Sequence, residues 1–277
     1  MWDELRNLRR PAVVAAFSGW NDAGEAASGV IDHLAEQYET RFIAALDPQD
    51  YYDFQVNRPT VQLDEDGHRT LEWPTTEILV AALPERDLVL IGGPEPSFHW
   101  SAYADWVMTP VREAGPELVV LLGALITDAP HSRPVPVSAT AGDAHLAEEL
   151  GLGQSDYEGP TGILGVLADE CDKAGLPAVT MWASVPHYVA EPPDPKATLA
   201  LLARLEEVLN TALDSGDLLQ RSETWMEQVD ELVSADPDIA RYIAALEERR
   251  DEEPPAPTGE SIAAEFERYL NRRDRRS

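Results

Sequence analysis

Three of the six histidines lie in segments that are also rich in aromatic, acidic and proline residues. His99 lies in the segment GGPEPSFHW, His131 lies in TDAPHSR, and His187 lies in VPHYVAEPPDP, while residues 18–22 (SGWND) form a fourth segment of this kind. Side chains of these types line ligand pockets and transfer protons. We therefore predict a cleft formed by Ser18, Trp20, Asn21, Asp22, Gly92, Gly93, Glu95, His99, Trp100, Asp128, His131, Arg133 and His187.

No single chemical interpretation of this cleft is specific. Gly92 and Gly93 would let a backbone approach a phosphate, but no P-loop lysine follows them, so a turn at the end of a strand is favoured. The three histidines lack the close spacing of metal ligands, and we predict neither a metal nor another cofactor. Asp128 and His131 are candidates for acid and base, although Asp128 can equally cap a turn. Ser18 lacks the flanking glycines of a nucleophile elbow, and we assign no catalytic residue.

The four segments each follow a predicted buried strand. Residues 12–17 (AVVAAF) form a continuous apolar run, as expected of a strand covered on both faces, and comparable runs occupy 87–92, 118–124 and 178–184. Ligands bind beyond the carboxyl ends of the strands in an open parallel sheet. We therefore expect the four segments to meet at one edge of the sheet, with Asn21 or Asp22 capping the helix that follows the first of them.

The remaining pattern indicates an α/β protein, a three-layer α/β/α sandwich whose sheet is largely parallel but mixed, with a C-terminal helical extension. Further strands are predicted at 42–46 and 135–140, and residues 51–82 are predicted to be antiparallel, with Asp66-Gly67 as the turn between 61–63 and 70–73. Helices are predicted at 23–38, 101–114, 142–150, 161–174, 196–213, 236–250 and 259–271. We divide the chain into a sandwich domain at 1–195 and a helical extension at 196–277, with a flexible linker near 251–257.

Charge and composition restrict the functional classes. The chain has 51 acidic and 21 basic residues, a formal net charge of −30 that repels the phosphates of nucleic acids. No apolar run approaches the roughly 20 residues of a membrane helix, and residues 1–6 do not resemble a signal peptide. The single cysteine, Cys171, lies in an apolar helical pattern that indicates a buried thiol. We expect a cytoplasmic protein that binds neither nucleic acid nor membrane.

Five short segments in a fixed order carry a family resemblance. They are WNDAG at 20–24, GGPEP at 92–96, PHSRPVPV at 130–137, GPTGI at 159–163 and VPHYV at 185–189. Together they resemble the proteasome assembly chaperone family of the second-subunit type, and its actinobacterial branch most closely. The resemblance implies an α/β/α sandwich similar to the phosphorylase/hydrolase-like fold and a tendency to self-associate. It also implies a relationship to proteins of eukaryotes and archaea that help to assemble or bind the 20S proteasome without chemistry.

Two functional hypotheses follow. The first is a non-enzymatic assembly or interaction protein, whose partners would be proteasome subunits or another protein and which would form a homo-oligomer. The alternative is a small-molecule-binding protein or a hydrolase/phosphorylase-like enzyme that uses the cleft at the carboxyl ends of the strands. An open pocket with a histidine of strongly shifted pKa would favour the alternative, whereas a cleft filled by the chain's own side chains would favour the first.

Overall fold

The computed structural model describes residues 2–64, 67–155, 157–189 and 191–252. Its strands are β1 (Ala12–Ser18), β2 (Thr40–Ala45), β3 (Thr60–Leu63), β4 (Arg69–Glu72), β5 (Glu77–Ala82), β6 (Asp87–Pro94), β7 (Leu118–Thr127), β8 (Val137–Ala141) and β9 (Ala178–Pro186). Its helices are α1 (Ala26–Gln37), α2 (Trp100–Ala114), α3 (Ala144–Leu150), α4 (Ile163–Ala174), α5 (Pro195–Leu209), α6 (Leu218–Ala235) and α7 (Pro237–Glu252). The helix predicted at 259–271, most of the predicted linker and Asp66 of the predicted turn lie outside the described residues.

Seven strands form one mixed sheet in the order β2-β5-β6-β1-β7-β9-β8. The four neighbours β6, β1, β7 and β9 pair in parallel, whereas the pairs β2-β5, β5-β6 and β8-β9 are antiparallel. Strands β3 and β4 form a separate antiparallel hairpin. The prediction of a largely parallel but mixed sheet is therefore confirmed.

Helices cover both faces of this sheet, as the uninterrupted apolar run of β1 predicts. Alternate side chains of a strand point to opposite faces. Ala12 and Val14 belong to a core cluster that includes residues of α1, α3 and α5, whereas Val13 and Phe17 belong to a second cluster with residues of α2 and α4. All four side chains are fully buried, and each such valine or phenylalanine contributes about 1.5–3 kcal/mol to folding. The three-layer α/β/α architecture is confirmed.

Two elements differ from the sequence-based prediction. The sequence places β5 only in a general antiparallel region, and it places α6 only in the helical extension, without a range of its own. Helix α6 is as amphipathic as α1 and α5, but its residues are on average less apolar, and only Leu218, Ser222 and Val229 of its 18 residues are buried.

Helix α5 adds to the core of the sandwich, since Leu201, Leu202 and Leu205 belong to the same core cluster as α1. The chain divides into two compact units between Glu231 and Leu232. The domain boundary that the sequence places at residue 195 stays a prediction.

Candidate functional site

The four segments of the predicted cleft follow strands that end at the same edge of the sheet. Ser18 of β1 pairs with Pro94 of β6, and Thr127 of β7 pairs with Pro186 of β9, all in parallel register. Since neighbouring strands lie about 4.8 Å apart, the loops that follow them extend over roughly 15 Å. We call these loops, residues 19–25, 95–99, 128–136 and 187–189, the carboxyl edge. Its role as a binding cleft stays a prediction.

Glu95 connects the carboxyl edge to the end of β1 and to the start of α4. Its backbone N–H donates to the carbonyl of Ser18 at 2.9 Å. Its Oε1 accepts hydrogen bonds from Asn21 Nδ2 at 2.8 Å and from the backbone N–H of Ile163 at 2.7 Å. Ile163 is the first residue of α4, and the N-terminus of a helix favours a negative charge. The carboxylate of Glu95 therefore caps α4 and joins it to the ends of β1 and β6.

Two glycines allow the close approaches around this network. A Cβ on Gly162 would lie 2.0 Å from Oδ1 of Asn21, and a Cβ on Gly93 would lie 2.4 Å from the backbone oxygen of Thr75. Neither position has room for a side chain. From the sequence, Gly92 and Gly93 were open to interpretation as a phosphate contact. In the structure, the close packing of Thr75 requires glycine at position 93.

Asp22 caps a second helix at the same edge. Its Oδ1 accepts the backbone N–H of Ala27 at 2.7 Å, and its Oδ2 accepts the backbone N–H of Ser28 at 3.2 Å and the hydroxyl of Ser28 at 2.5 Å. Asp22 is 5% exposed, and this burial raises the pKa of its carboxyl group above the ordinary value. Of the two residues predicted to cap α1, Asp22 is the one whose side chain accepts the N–H groups of the first turn.

His131 is buried and held on several sides. The hydroxyl of Tyr188 accepts the backbone N–H of His131 at 2.7 Å and bonds to its Nδ1 at 2.9 Å, while Nε2 bonds to Oδ1 of Asp230 at 2.9 Å. The ammonium group of Lys196 donates to the carbonyls of His131 and Arg133, and its burial lowers the pKa of Lys196. His131 therefore ties the loop after β7 to the segment after β9 and to α6.

The other candidate residues are more open or belong to the core. Asp128 and His187 are both exposed, with Oδ1 of Asp128 3.6 Å from Nδ1 of His187. His99 precedes α2 in a left-handed conformation with its ring against that of Tyr51, and Trp100 is partly buried against the core of the α2 face. Nδ1 of His131 bonds to Tyr188 and Nε2 bonds to Asp230, and the acid–base pair of Asp128 and His131 considered from the sequence stays a prediction.

Exposed apolar side chains also lie at the carboxyl edge. The backbone N–H of Ala124 donates to the carbonyl of Asn21 at 2.8 Å, and the residues that flank this bond are Trp20 and Leu125. Trp20 is 70% exposed, and Leu125 and Ile126 are also exposed. We call Trp20 and Leu125 the edge patch; Ile126, the next residue of β7, points to the opposite face of the sheet.

Sequence reasoning missed several residues that build this edge. Tyr188 and Gly162 lie inside segments that carried the family resemblance, so a signal for them existed. Asp230 lies 99 positions from its partner His131, in a helix predicted only as part of the helical extension, and nothing in the sequence connects the two. Asp194, which is almost fully buried and accepts the backbone N–H of Ala197 at the start of α5, was also missed.

Among the described residues, no group of three or more histidine, cysteine, aspartate or glutamate side chains is arranged to hold a metal ion. Within the same residues, none of the helices is both long enough and apolar enough to cross a membrane. A depression of about 430 Å³ is lined by residues of α5 and its end, including Glu206 and Asn210. It lies near the start of β6, where Arg86 donates to the carbonyl of Leu209, and hence away from the carboxyl edge.

Comparisons with known proteins agree on one family. A family model described as the PAC2 family matches residues 16–233. A crystal structure of a PAC2 family protein from Streptomyces avermitilis is 51% identical, with a TM-score of 0.78, and the match covers 84% of this chain and 99% of that one. A proteasome-assembly chaperone homologue from Mycobacterium tuberculosis is 45% identical, with a TM-score of 0.76 and the same coverage. An archaeal proteasome activator from Pyrococcus furiosus, at 16% identity and a TM-score of 0.64 over 82% of this chain and 94% of that one, shares the fold. No curated protein matches.

Proposed function

The chain belongs to the PAC2 family, and from this premise we propose that it is a non-enzymatic interaction protein that takes part in proteasome assembly. We further propose that it works in the cytoplasm, that it contacts proteasome subunits and that it forms a homo-oligomer. The similarity to a mycobacterial protein described as a proteasome-assembly chaperone homologue supports the first part of this proposal. It extends over nearly the whole of that protein, so the comparison is between whole folds rather than a shared motif.

The proposal rests on one observation: acidic side chains of the chain itself cap the N-termini of the helices at the carboxyl edge. In α/β enzymes the N-termini of helices at this edge bind anionic substrates. Here Glu95 occupies the N-terminus of α4 and Asp22 that of α1. His131 is likewise bonded to Tyr188 and Asp230. These groups stabilise the edge, which favours a scaffold over a reaction centre.

The edge patch is the part of this scaffold that we propose for protein contact. Tryptophan is enriched among the residues that dominate binding energies in protein interfaces. The patch lies on a chain with a net charge of −30, so its partner would combine an apolar contact with basic residues around it.

The experiment uses the full chain with separately purified proteasome α and β subunits. Association is measured by surface plasmon resonance, and the rate of particle formation is followed on native gels. We expect binding to at least one subunit type and faster assembly. Trp20→Glu should weaken binding about tenfold or more, because it places a charge in the apolar contact.

Leu219→Glu is the matched control, since Leu219 is also an exposed apolar residue but lies on α6. It should bind like the wild type. Absence of binding to either subunit would contradict the proposed function. Equal weakening by both variants would contradict the assignment of the edge patch.

A further inference from the structure

The loop after β1 holds Trp20 at an exposed corner of a tight turn. The backbone N–H of Asp22 donates to the carbonyl of Gly19 at 3.1 Å, so Trp20 and Asn21 are the two central residues of this turn. Asn21 is fully buried, whereas Trp20 is 70% exposed. The two side chains therefore leave the turn in different directions, and the indole ring of Trp20 is open to solvent.

Glu95 contacts this turn on both sides of Trp20. Its backbone N–H donates to the carbonyl of Ser18, and its Oε1 accepts the side-chain amide of Asn21. A Cβ on Gly19 would lie 3.7 Å from the Cβ of Glu95. Because adjacent Cα atoms are about 3.8 Å apart, the Cα of Trp20 lies within about 9 Å of the Cβ of Glu95. An indole ring and a carboxylate thus share one small area of the carboxyl edge.

One oxygen of the Glu95 carboxylate is available to a ligand. Oε1 already accepts the N–H groups of Asn21 and Ile163. Oε2 accepts no hydrogen bond from the described residues, and it does not belong to the buried polar atoms that lack a partner, so it reaches solvent. The two bonds to Oε1 hold the carboxylate in one orientation. A side chain that is already ordered loses less conformational freedom on binding than a mobile surface glutamate does.

An aromatic face beside a fixed carboxylate oxygen is suited to a cation. A guanidinium group can stack on an indole ring while an N–H at its edge donates to a carboxylate, whereas an ammonium group is a compact, strongly hydrated charge. We propose that Trp20 and Glu95 bind the side chain of an arginine of the protein partner. The guanidinium plane lies on the indole ring of Trp20, and one of its N–H groups donates to Oε2 of Glu95. This inference rests on the proposed function and names the chemistry that the edge patch recognises.

The openness of the site favours an arginine of a protein over a free small molecule. Sites for small molecules enclose most of the ligand surface. The indole ring of Trp20 covers only one side of a guanidinium group, so the partner's own surface must cover the other side. The neighbouring Leu125, which is also exposed, offers that surface an apolar contact. Tryptophan and arginine are both enriched among the residues that dominate binding energies in protein interfaces.

The charge of the chain also favours a cationic partner. A net charge of −30 attracts cations and accelerates their encounter with the surface. This field does not select arginine, because it attracts ammonium and guanidinium groups alike. Selection has to come from the contacts with the indole ring and with Oε2, and a comparison of arginine with lysine therefore separates the proposed site from general attraction.

The test uses the full chain labelled with fluorotryptophan and followed by fluorine NMR. The chain has seven tryptophans, and the signal that is lost in Trp20→Leu is that of Trp20. The probes are N-acetylarginine amide and its lysine and citrulline counterparts, of which citrulline keeps the shape of arginine without its charge. We expect the arginine probe to shift the Trp20 signal with a millimolar dissociation constant. This constant should be about threefold lower than that of the lysine probe and about tenfold lower than that of the citrulline probe.

Glu95→Gln removes the charge of the proposed site and keeps an acceptor for α4. It should raise the dissociation constant of the arginine probe about fivefold. Glu223→Gln removes the same charge at an exposed position on α6 and should leave that constant unchanged. Circular dichroism checks the folding of both variants. Equal binding of the three probes, equal shifts at all tryptophans, or unchanged binding in folded Glu95→Gln would overturn the proposed site.

Surface plasmon resonance with the proteasome subunits separates this inference from the proposed function. An excess of the arginine probe should displace a bound subunit, and the lysine probe should displace it less well. Subunit binding that the arginine probe does not reduce would overturn the assignment of an arginine and leave the proposed function in place. Binding of the arginine probe at Trp20 without binding of either subunit would contradict the proposed function, whereas the guanidinium site would stand.

Discussion

The cap that Glu95 provides gives the sharpest quantitative prediction. Glu95→Ala removes the acceptor of two hydrogen bonds, and the N–H of Ile163 and the amide of Asn21 lose their partner. Each unpaired donor in a partly buried position costs about 1–2 kcal/mol, so we expect the free energy of unfolding to fall by about 3 kcal/mol. Glu95→Gln keeps one oxygen as an acceptor and loses only the negative charge at the N-terminus of α4, which costs about 1 kcal/mol.

Urea unfolding followed by circular dichroism measures both losses, and the melting temperature of Glu95→Ala should fall by about 10 °C. Glu223→Ala, at an exposed position on α6, serves as the control and should stay within about 0.5 kcal/mol of the wild type. The reasoning is refuted if Glu95→Gln is as destabilising as Glu95→Ala, or if Glu95→Ala resembles the control. In either case the two hydrogen bonds would not hold the ends of β1 and β6 to α4.

Three further predictions concern single residues. Burial raises the pKa of Asp22, so between the ordinary carboxyl pKa and this raised value the folded chain binds a proton that the unfolded chain does not. As the pH falls from 7 to 4, the free energy of unfolding of the wild type should therefore rise relative to that of Asp22→Asn. A relative decrease, measured by urea unfolding, would contradict the burial of this charge. Burial also raises the pKa of the Cys171 thiol to about 12. Iodoacetamide should therefore label this thiol only when the chain is unfolded in urea, as detected by mass spectrometry. Rapid labelling of the native chain would contradict the burial of Cys171. Gly93→Ala should lower the free energy of unfolding by more than about 2 kcal/mol, because the new Cβ would lie 2.4 Å from the backbone oxygen of Thr75. Gly153→Ala is the control and should be nearly neutral, since its Cβ would lie no closer than 3.9 Å to another atom. Equal losses of stability in the two variants would refute the steric argument.

Much of the sandwich was readable because its signals are local. An apolar run such as AVVAAF fits a strand buried on both faces, and the alternation of strands with helices implies parallel pairing. The arrival of four loops at one edge follows from that topology. The sequence therefore predicted that the loops of Asn21 and Glu95 would be neighbours, but not that their side chains would bond to each other and to α4.

What could not be predicted depends on contacts between distant residues. Helix α6 has few buried side chains, and a hydrogen bond between Asp230 and His131 links it to the carboxyl edge. The sequence also suggested His131 as an acid or base, but it did not predict that this side chain is buried and hydrogen-bonded to Tyr188 and Asp230. The apolar exposure of the β3-β4 hairpin was likewise invisible, because alternating apolar residues on a strand predict a covered face and the sequence does not say which surface covers it.

The central position of β1 in the sheet also delays its pairing during protein synthesis. This strand leaves the ribosome before the two strands with which it pairs, whose paired residues begin at Leu88 and Leu118. At the usual speed of translation the nascent chain must keep this apolar strand unpaired for on the order of ten seconds. The nascent chain therefore passes through a period in which β1 is exposed to aggregation.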